Sequence, residues 1–285
     1  MYRILLFVFL YIPFTLGAQT KIRIPEIGIV QSMQNDSLLY SFGYRCLVES
    51  TPKVLSPRTV SAAQFEANLH TIKKLTVPLL ACNILIPGDL KLVGPQADET
   101  ALLSYLEEVF KRAQAASIRM FTWGSGGSRR IPEGYDREKA KQQFISTARK
   151  ITVMAAKYDI TLALENLNST ETNFINTVQE AFDIVQAIDH PNLRLCVDIY
   201  HMLKEGESPD IILRTKPYTI YCEVAEKEGR TPPGVHGDDF IPYFIALKKI
   251  GYTGKIVIEC QWQYLASQGN MAYQTLHQQI KTAFN

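Results

Sequence analysis

The sequence predicts an α/β fold, a single (β/α)8 TIM barrel, and three observations carry that prediction. Short β-branched runs alternate with long amphipathic stretches along the 285 residues, eight of each. The strand candidates are nearly continuous apolar runs, such as ITLALEN, LRLCVDIY and KIVIEC, as parallel strands covered on both faces require. No G-x-G-x-x-G follows the first strand, which removes a doubly wound open sheet as the competing reading. Two domains of about 150 residues would also fit the length, but barrels of about 250 residues count as one domain.

The elements follow in order. Ile22–Ile29 opens the alternation as the first strand, followed by a helix over Asp36–Phe42. Tyr44–Glu49 and Val77–Ile86 are the next strands, with a helix over Ser61–Leu75 between them. The helix Glu99–Ala116 places Leu102, Leu103, Leu106, Val109 and Phe110 at helical spacing. The strand Ile118–Gly124 and helix Arg137–Lys157 lead to the fifth strand, Ile160–Asn166. In Thr177–Ile188, Val178, Ala181, Phe182 and Val185 form one apolar face. The strands Leu193–Tyr200, Thr219–Ala225 and Lys255–Cys260 complete the barrel, with helices over Ser208–Arg214, Asp239–Ile250 and Ala272–Phe284. The Gly/Pro-rich pieces Pro87-Gly88, Gly124–Gly127 and Pro232–Gly234 each follow a strand, where barrel enzymes keep their working loops.

The first eighteen residues stand apart from this pattern. Met1–Ala18 has one cation, Arg3, then an apolar run from Ile4 to Phe14, then the small residues Gly17 and Ala18. That order reads as a secretory signal peptide, so residues 19–285 form the barrel domain of an exported protein, periplasmic or secreted. The run is short for a membrane helix of about 20 residues, so no membrane association is expected after cleavage. An uncleaved N-terminal anchor is the alternative.

Composition narrows the function classes. Apolar residues make up 46% of the chain, too many for a disordered one. Thirty lysines and arginines against 28 aspartates and glutamates leave a charge of +2, which argues against a nucleic-acid partner. Cys46, Cys82, Cys196, Cys222 and Cys260 lie in apolar runs without C-x-x-C spacing and read as buried free thiols, with one disulfide left open.

Acidic residues collect at strand ends. The fifth strand ends with Glu165, the sixth runs into Asp198 and His201, the seventh carries Glu223, and the eighth ends with Glu259. Polar residues at the C-terminal ends of barrel strands read as site residues. Four carboxylates at matching positions would converge, repel and be poorly solvated, and a bound divalent cation offsets that cost. An all-oxygen set is hard and favours Mn²⁺ or Mg²⁺ over zinc.

Around these stand residues with two readings. His201 is a site residue or a core histidine, Glu171 a ligand or a helix N-terminal charge, and Arg230 a site cation or a solvated loop residue. Trp123 is a sugar-stacking wall or a packed aromatic, and His236 a site or loop histidine. Glu49 reads as a barrel ion pair, and Ser125–Ser128 as a phosphate cradle or an ordinary glycine turn.

The motifs LALENLNSTETNF, LRLCVDIYHM, VAEKEGRTPPGVHGDDF and IGYTGKIVIECQW resemble the xylose isomerase-like TIM-barrel superfamily, also called the sugar phosphate isomerase/epimerase family. Within it, ketose 3-epimerases and hydroxypyruvate isomerases are most similar. The resemblance covers most of residues 19–285 and implies a metal at the C-terminal mouth, held by Glu165, Asp198 and Glu259. It implies substrate contacts from Glu171, His201 and Arg230. The family usually has a metal-binding histidine on the seventh strand; here that run reads Glu223-Val224-Ala225-Glu226, and His236 is a candidate substitute. The implied reaction moves a proton at a carbon next to a carbonyl of a small carbohydrate, with Glu165 and Glu259 as the acid–base pair. A keto-sugar or inosose lyase or dehydratase, and a non-catalytic sugar-binding barrel, are the alternatives. An endonuclease IV-like role would need a histidine-rich cluster, and the chain has five histidines. A homo-oligomer is compatible with the sequence.

Overall fold

The computed structural model describes residues 24–285, so the signal-peptide segment and the first two residues of the predicted first strand lie outside the described residues. Eight strands, β1 (Ile27–Val30), β2 (Cys46–Ser50), β3 (Leu79–Asn83), β4 (Met120–Trp123), β5 (Thr161–Glu165), β6 (Leu193–Asp198), β7 (Thr219–Val224) and β8 (Ile256–Ile258), run parallel. Each pairs with its sequence neighbour, and β8 pairs with β1 to close the barrel. The helices are α1 (Asp36–Phe42), α2 (Thr51–Val54), α3 (Ala62–Ile72), α4 (Glu99–Ala115), α5 (Gly126–Arg129), α6 (Arg137–Lys157), α7 (Val178–Ile188), α8 (Ile199–Glu205), α9 (Ile241–Lys249) and α10 (Leu265–Phe284). The expected single (β/α)8 barrel is thus present.

Local chemistry starts the helices where it should. Ser61 and Gln64 form a reciprocal capping box before α3, and Asp98, Asp136 and Thr177 accept backbone N–H groups at the starts of α4, α6 and α7. Three expectations shift. Ser208–Arg214 is a short 3-10 segment over Pro209–Arg214. The sixth strand stops at Asp198, because that side chain caps α8, accepting the His201 N–H at 3.1 Å. The last helix begins at Leu265 and runs through Gly269, where a Cβ would lie 2.6 Å from the Phe42 ring. There glycine permits close packing of α10 on α1.

Two apolar cores hold the barrel. The larger lies between sheet and helices and includes Leu164, Val197, Val224 and Ile258 from the strands. The smaller fills the interior with Cys46, Val48, Ala81, Ala163, Cys196, Tyr221 and Val257. Side chains alternate along a strand, so the position two residues after each last interior residue also faces inward. Those positions are Ser50, Asn83, Glu165, Asp198, Glu223 and Glu259. The interior therefore changes from apolar to polar over one step at the C-terminal mouth. All five cysteines are free, four of them buried. Among the described residues no helix is long and apolar enough to cross a membrane.

Candidate active site

The four carboxylates sit in a staggered ladder rather than at matching positions. Asp198 pairs with Glu223, but Glu165 lies across from Cys196 and Glu223 across from Val257. Strand tilt in a closed barrel brings such staggered residues to one level. Glu165, Asp198, Glu223 and Glu259 each offer an oxygen within 4.8 Å of the others, and Glu165, Asp198 and His201 form an overlapping group.

Burial makes this arrangement electrostatically tense. Burial pushes the Glu165 carboxyl up to about 7, with Glu259 and Asp198 adding to the rise. Glu223 is fully buried and raised well above the usual carboxylate range by burial and then by Glu259, Glu165 and Asp198. Its Oε1 has no hydrogen-bond partner, and its Oε2 meets only the Cys196 thiol, at 3.6 Å. An orphaned buried carboxylate oxygen facing three other carboxylates fits a hard divalent cation, with all four residues as ligands.

Other side chains fix this group. The Asn168 main-chain N–H donates to His201 Nδ1 at 3.0 Å, so the neutral ring carries its proton on Nε2. That nitrogen lies 3.5 Å from Glu165 Oε1 and 3.6 Å from Asp198 Oδ2, with no hydrogen-bond partner of its own. Burial disfavours charge on His201, but the Asp198 and Glu165 carboxylates outweigh it and raise its pKa. Arg230 donates from Nη2 to Glu259 Oε2, from Nη1 to Glu171 Oε1 at 3.2 Å, and lies over the Tyr200 ring at 4.7 Å. Burial opposes its charge, yet Glu259, Asp198 and Glu171 hold its pKa above the ordinary arginine value.

Beside the carboxylates is a cavity of about 330 Å³, lined by Glu165, Glu171, Arg230 and Glu259, by Ile84, Ile86 and Leu167, and by the Gly124–Gly127 turn. Asn83, which the sequence reading passed over inside a longer strand, also lines it. Its Nδ2 donates to Glu259 Oε1 at 2.7 Å, and its Oδ1 is buried without a partner. Its position, two residues after the interior Ala81, was the available signal. Arg129 was also missed: fully buried, it donates to the main-chain carbonyls of Glu165 at 2.8 Å and Ile175 at 3.2 Å. Burial lowers its pKa to about 10.

Two predicted site residues are not brought to this group. Trp123 is fully buried and stacks on Phe144 at 5.4 Å, so its ring packs against α6 and offers no face to a sugar. It stands one residue out of phase with the inward positions of β4. His236 is exposed in the β7–α9 loop, with its backbone N–H on Glu226, and belongs to neither carboxylate group. Glu49 accepts the Met33 N–H at 3.2 Å and sits 3.5 Å from Lys53, an ion pair of the β2 end. In the glycine turn the Ser125 hydroxyl accepts the Ile86 N–H at 3.1 Å, tying two loops together.

The chain is similar to several known proteins. A putative hydroxypyruvate isomerase from Homo sapiens is 27% identical over 232 residues, 78% of this chain and 80% of that one. A ketose 3-epimerase from Arthrobacter globiformis is 33% identical over 111 residues, 39% of this chain and 38% of that one. The solved D-psicose 3-epimerase of Clostridium cellulolyticum H10 superposes with a TM-score of 0.72 at 18% identity, over 90% of this chain and 96% of its own. An E. coli 3-keto-D-glucoside 4-epimerase gives 0.72 at 17% identity, covering 89% and 99%. At such identities the structures speak for the barrel alone. The sequence model of one family spans residues 39–282, from α1 into α10 and across every carboxylate of the mouth, and by that match the chain belongs to the xylose isomerase-like TIM barrel family.

Proposed function

We propose that the protein is an exported, metal-dependent sugar isomerase or epimerase that moves a proton at a carbon next to a carbonyl. The observation that carries this reading is the set of four converging carboxylates at the mouth of a barrel of this family. Glu165, Asp198, Glu223 and Glu259 would hold the ion, and four oxygen donors favour Mn²⁺ or Mg²⁺. Bound there, such an ion supplies Lewis-acid stabilisation of the charge that develops on the substrate oxygen.

The chain's own groups supply the rest. Glu165 and Glu259 take the proton from the carbon and return it, on opposite faces of the sugar for an epimerisation. Asn83 and Arg230 each hold one oxygen of Glu259, which fixes the carboxylate's plane. His201 donates from Nε2 to a substrate oxygen, and Glu171 and Arg230 contact hydroxyls. Export rests on the order of cation, apolar run and small residues in Met1–Ala18.

The test is proton NMR of ketoses in D₂O with the Mn²⁺-loaded protein and its Glu165→Gln and Glu259→Gln variants. Exchange of a C–H beside the carbonyl is expected, with a loss of about 10³-fold or more in either variant and an unchanged circular dichroism spectrum. Full activity in either variant sinks the assignment. An unsaturated or deoxy product identifies a lyase, and tight sugar binding without exchange identifies a binding barrel.

A further inference from the structure

We infer that the N-terminal face of the barrel, opposite the carboxylate mouth, is a docking surface for an anionic lipid bilayer. The inference goes beyond the sugar reading and does not depend on it. All eight strands run parallel, so every strand begins at one end of the barrel. The returns into those strands make up one face.

Charge is the first argument. The segments that run from the last residue of α1, α3, α4, α6, α7, the 3-10 segment and α9 into the next strand, with the entry to β1, hold nine cations against three acids. Lys73, Lys74, Lys157, Lys216 and Lys249 are exposed and have no acidic partner among the described residues. Arg45 and Arg214 are exposed too and donate to uncharged oxygens, of Tyr44 at 2.8 Å and Gln179 at 2.9 Å. Of the three acids, Glu26 pairs with Lys255 and Asp159 with Arg119, at 3.5 Å, which leaves Asp189. The helix dipole favours cations in a last turn, and that accounts for Lys157, Arg214 and Lys249. It does not account for Arg45, Arg119, Lys216 and Lys255, which lie beyond the helices, close to the strands they precede. The total of +2 hides this excess, because four acids gather at the other end of the barrel.

Shape is the second argument. The seven returns are three to six residues long, whereas the β3–α4, β5–α7 and β7–α9 loops of the mouth have 15, 12 and 16. Short returns leave a face of low relief, whose lysines can approach a plane within a Debye length of about 8–10 Å. Each such cation strengthens attachment to an anionic surface by about fivefold. Between the entries to β7 and β8 lies a recess of about 290 Å³, lined by Lys216, Pro217, Ile220, Ile250 and Tyr252. Leu213 is exposed beside Arg214. Cations set beside apolar walls fit an amphiphilic headgroup, whereas a nucleic-acid backbone calls for cations alone.

Attachment is the third argument. The first strand also begins at this face, so the chain before Ile24 joins the barrel here. Residues 19–23, which remain after cleavage of the signal peptide, add Lys21 and Arg23, and an uncleaved Met1–Ala18 would tether the same end. An apolar segment and a basic face together make a stable anchor, and the basic face alone makes a reversible one. In both cases the mouth points away from the bilayer, open to dissolved sugar.

The experiment is sedimentation of the full chain with vesicles of phosphatidylcholine alone and of phosphatidylcholine mixed equally with phosphatidylglycerol. Tighter binding to the anionic vesicles is expected at about 0.1 M salt, and about 0.5 M salt should erase that preference. The triple variant Lys74→Glu, Lys216→Glu, Lys249→Glu should bind the anionic vesicles about a hundredfold more weakly. The matched triple Lys139→Glu, Lys204→Glu, Lys227→Glu changes the net charge equally at exposed sites off this face and should bind as the unaltered chain does. The apolar segment is the same in all three proteins, so the difference reads the face alone. Equal binding to both kinds of vesicle overturns the inference, as does an equal loss in the two triples. Binding of a DNA duplex as tightly as the anionic vesicles also overturns it, because the face would then recognise any polyanion.

Discussion

The main-chain N–H of Asn168 donates to Nδ1 of His201 at 3.0 Å, and this contact decides what the opposite edge of the ring can do. With Nδ1 accepting, Nε2 carries the proton and faces the gap beside Glu165 and Asp198 without a partner. A donor held there is ready for an oxygen on which charge develops, and such donors contribute about 10²–10³ in rate. His201→Leu should therefore lower kcat/KM by about that factor, whereas His201→Gln, whose amide can still donate, should retain more activity. Steady-state kinetics of the two variants checks this, with melting curves to correct for the buried Asn168 N–H. Equal losses would show that the proton on Nε2 is not what matters.

Gly124 leaves room for a carboxylate. A Cβ at that position would lie 2.4 Å from Glu165 Oε2 and 3.3 Å from Leu167 Cδ2. The nearest obstacle is the end of a flexible side chain, so Gly124→Ala should fold and displace Glu165 rather than collapse the barrel. Displacing one ligand or its support costs about 10–100-fold in metal affinity or activity. Calorimetric titration with Mn²⁺ should show a loss in that range, with a melting temperature lowered by only a few degrees. Undiminished Mn²⁺ affinity would remove Glu165 from the set that holds the ion.

Much of the barrel and most of its mouth were legible because strand periodicity and strand ends are local signals. Glu165, Glu223 and Glu259 stand out as acids in apolar runs, and the period of two that buries Ala163, Tyr221 and Val257 turns those acids inward. Asn83 follows the same rule but is uncharged and was absorbed into a strand drawn three residues too long; Ile84, with a φ of 51°, breaks that strand. Asp198 serves two elements at once, closing β6 and capping α8, so strand propensity overran it to Tyr200. Trp123 misled because aromatic character marks both sugar platforms and cores, and only phase separates them. Arg129 was invisible for a different reason. Its partners are main-chain carbonyls from other parts of the chain, which no local pattern encodes.

Crowded buried carboxylates also set how the metal-free protein responds to pH. Burial raises Glu165 to about 7 and Glu223 above the usual range, while both return to ordinary values on unfolding. The folded state then binds more protons than the unfolded state between the two values, so stability falls as pH rises. For Glu165 alone the contribution is on the order of 3 kcal/mol, fully present below the usual carboxylate range and lost as pH rises through about 7. His201, also raised, acts with the same sign. Added Mn²⁺ should reverse the trend, because it binds the ionised carboxylates and competes with protons. Melting temperatures measured by circular dichroism from about pH 5 to about pH 8, in chelator and then in excess Mn²⁺, should slope in opposite directions. Glu223→Gln, which removes one buried charge, should flatten the slope in chelator. A melting temperature that rises with pH in chelator would mean that these four carboxylates do not repel one another in the folded barrel.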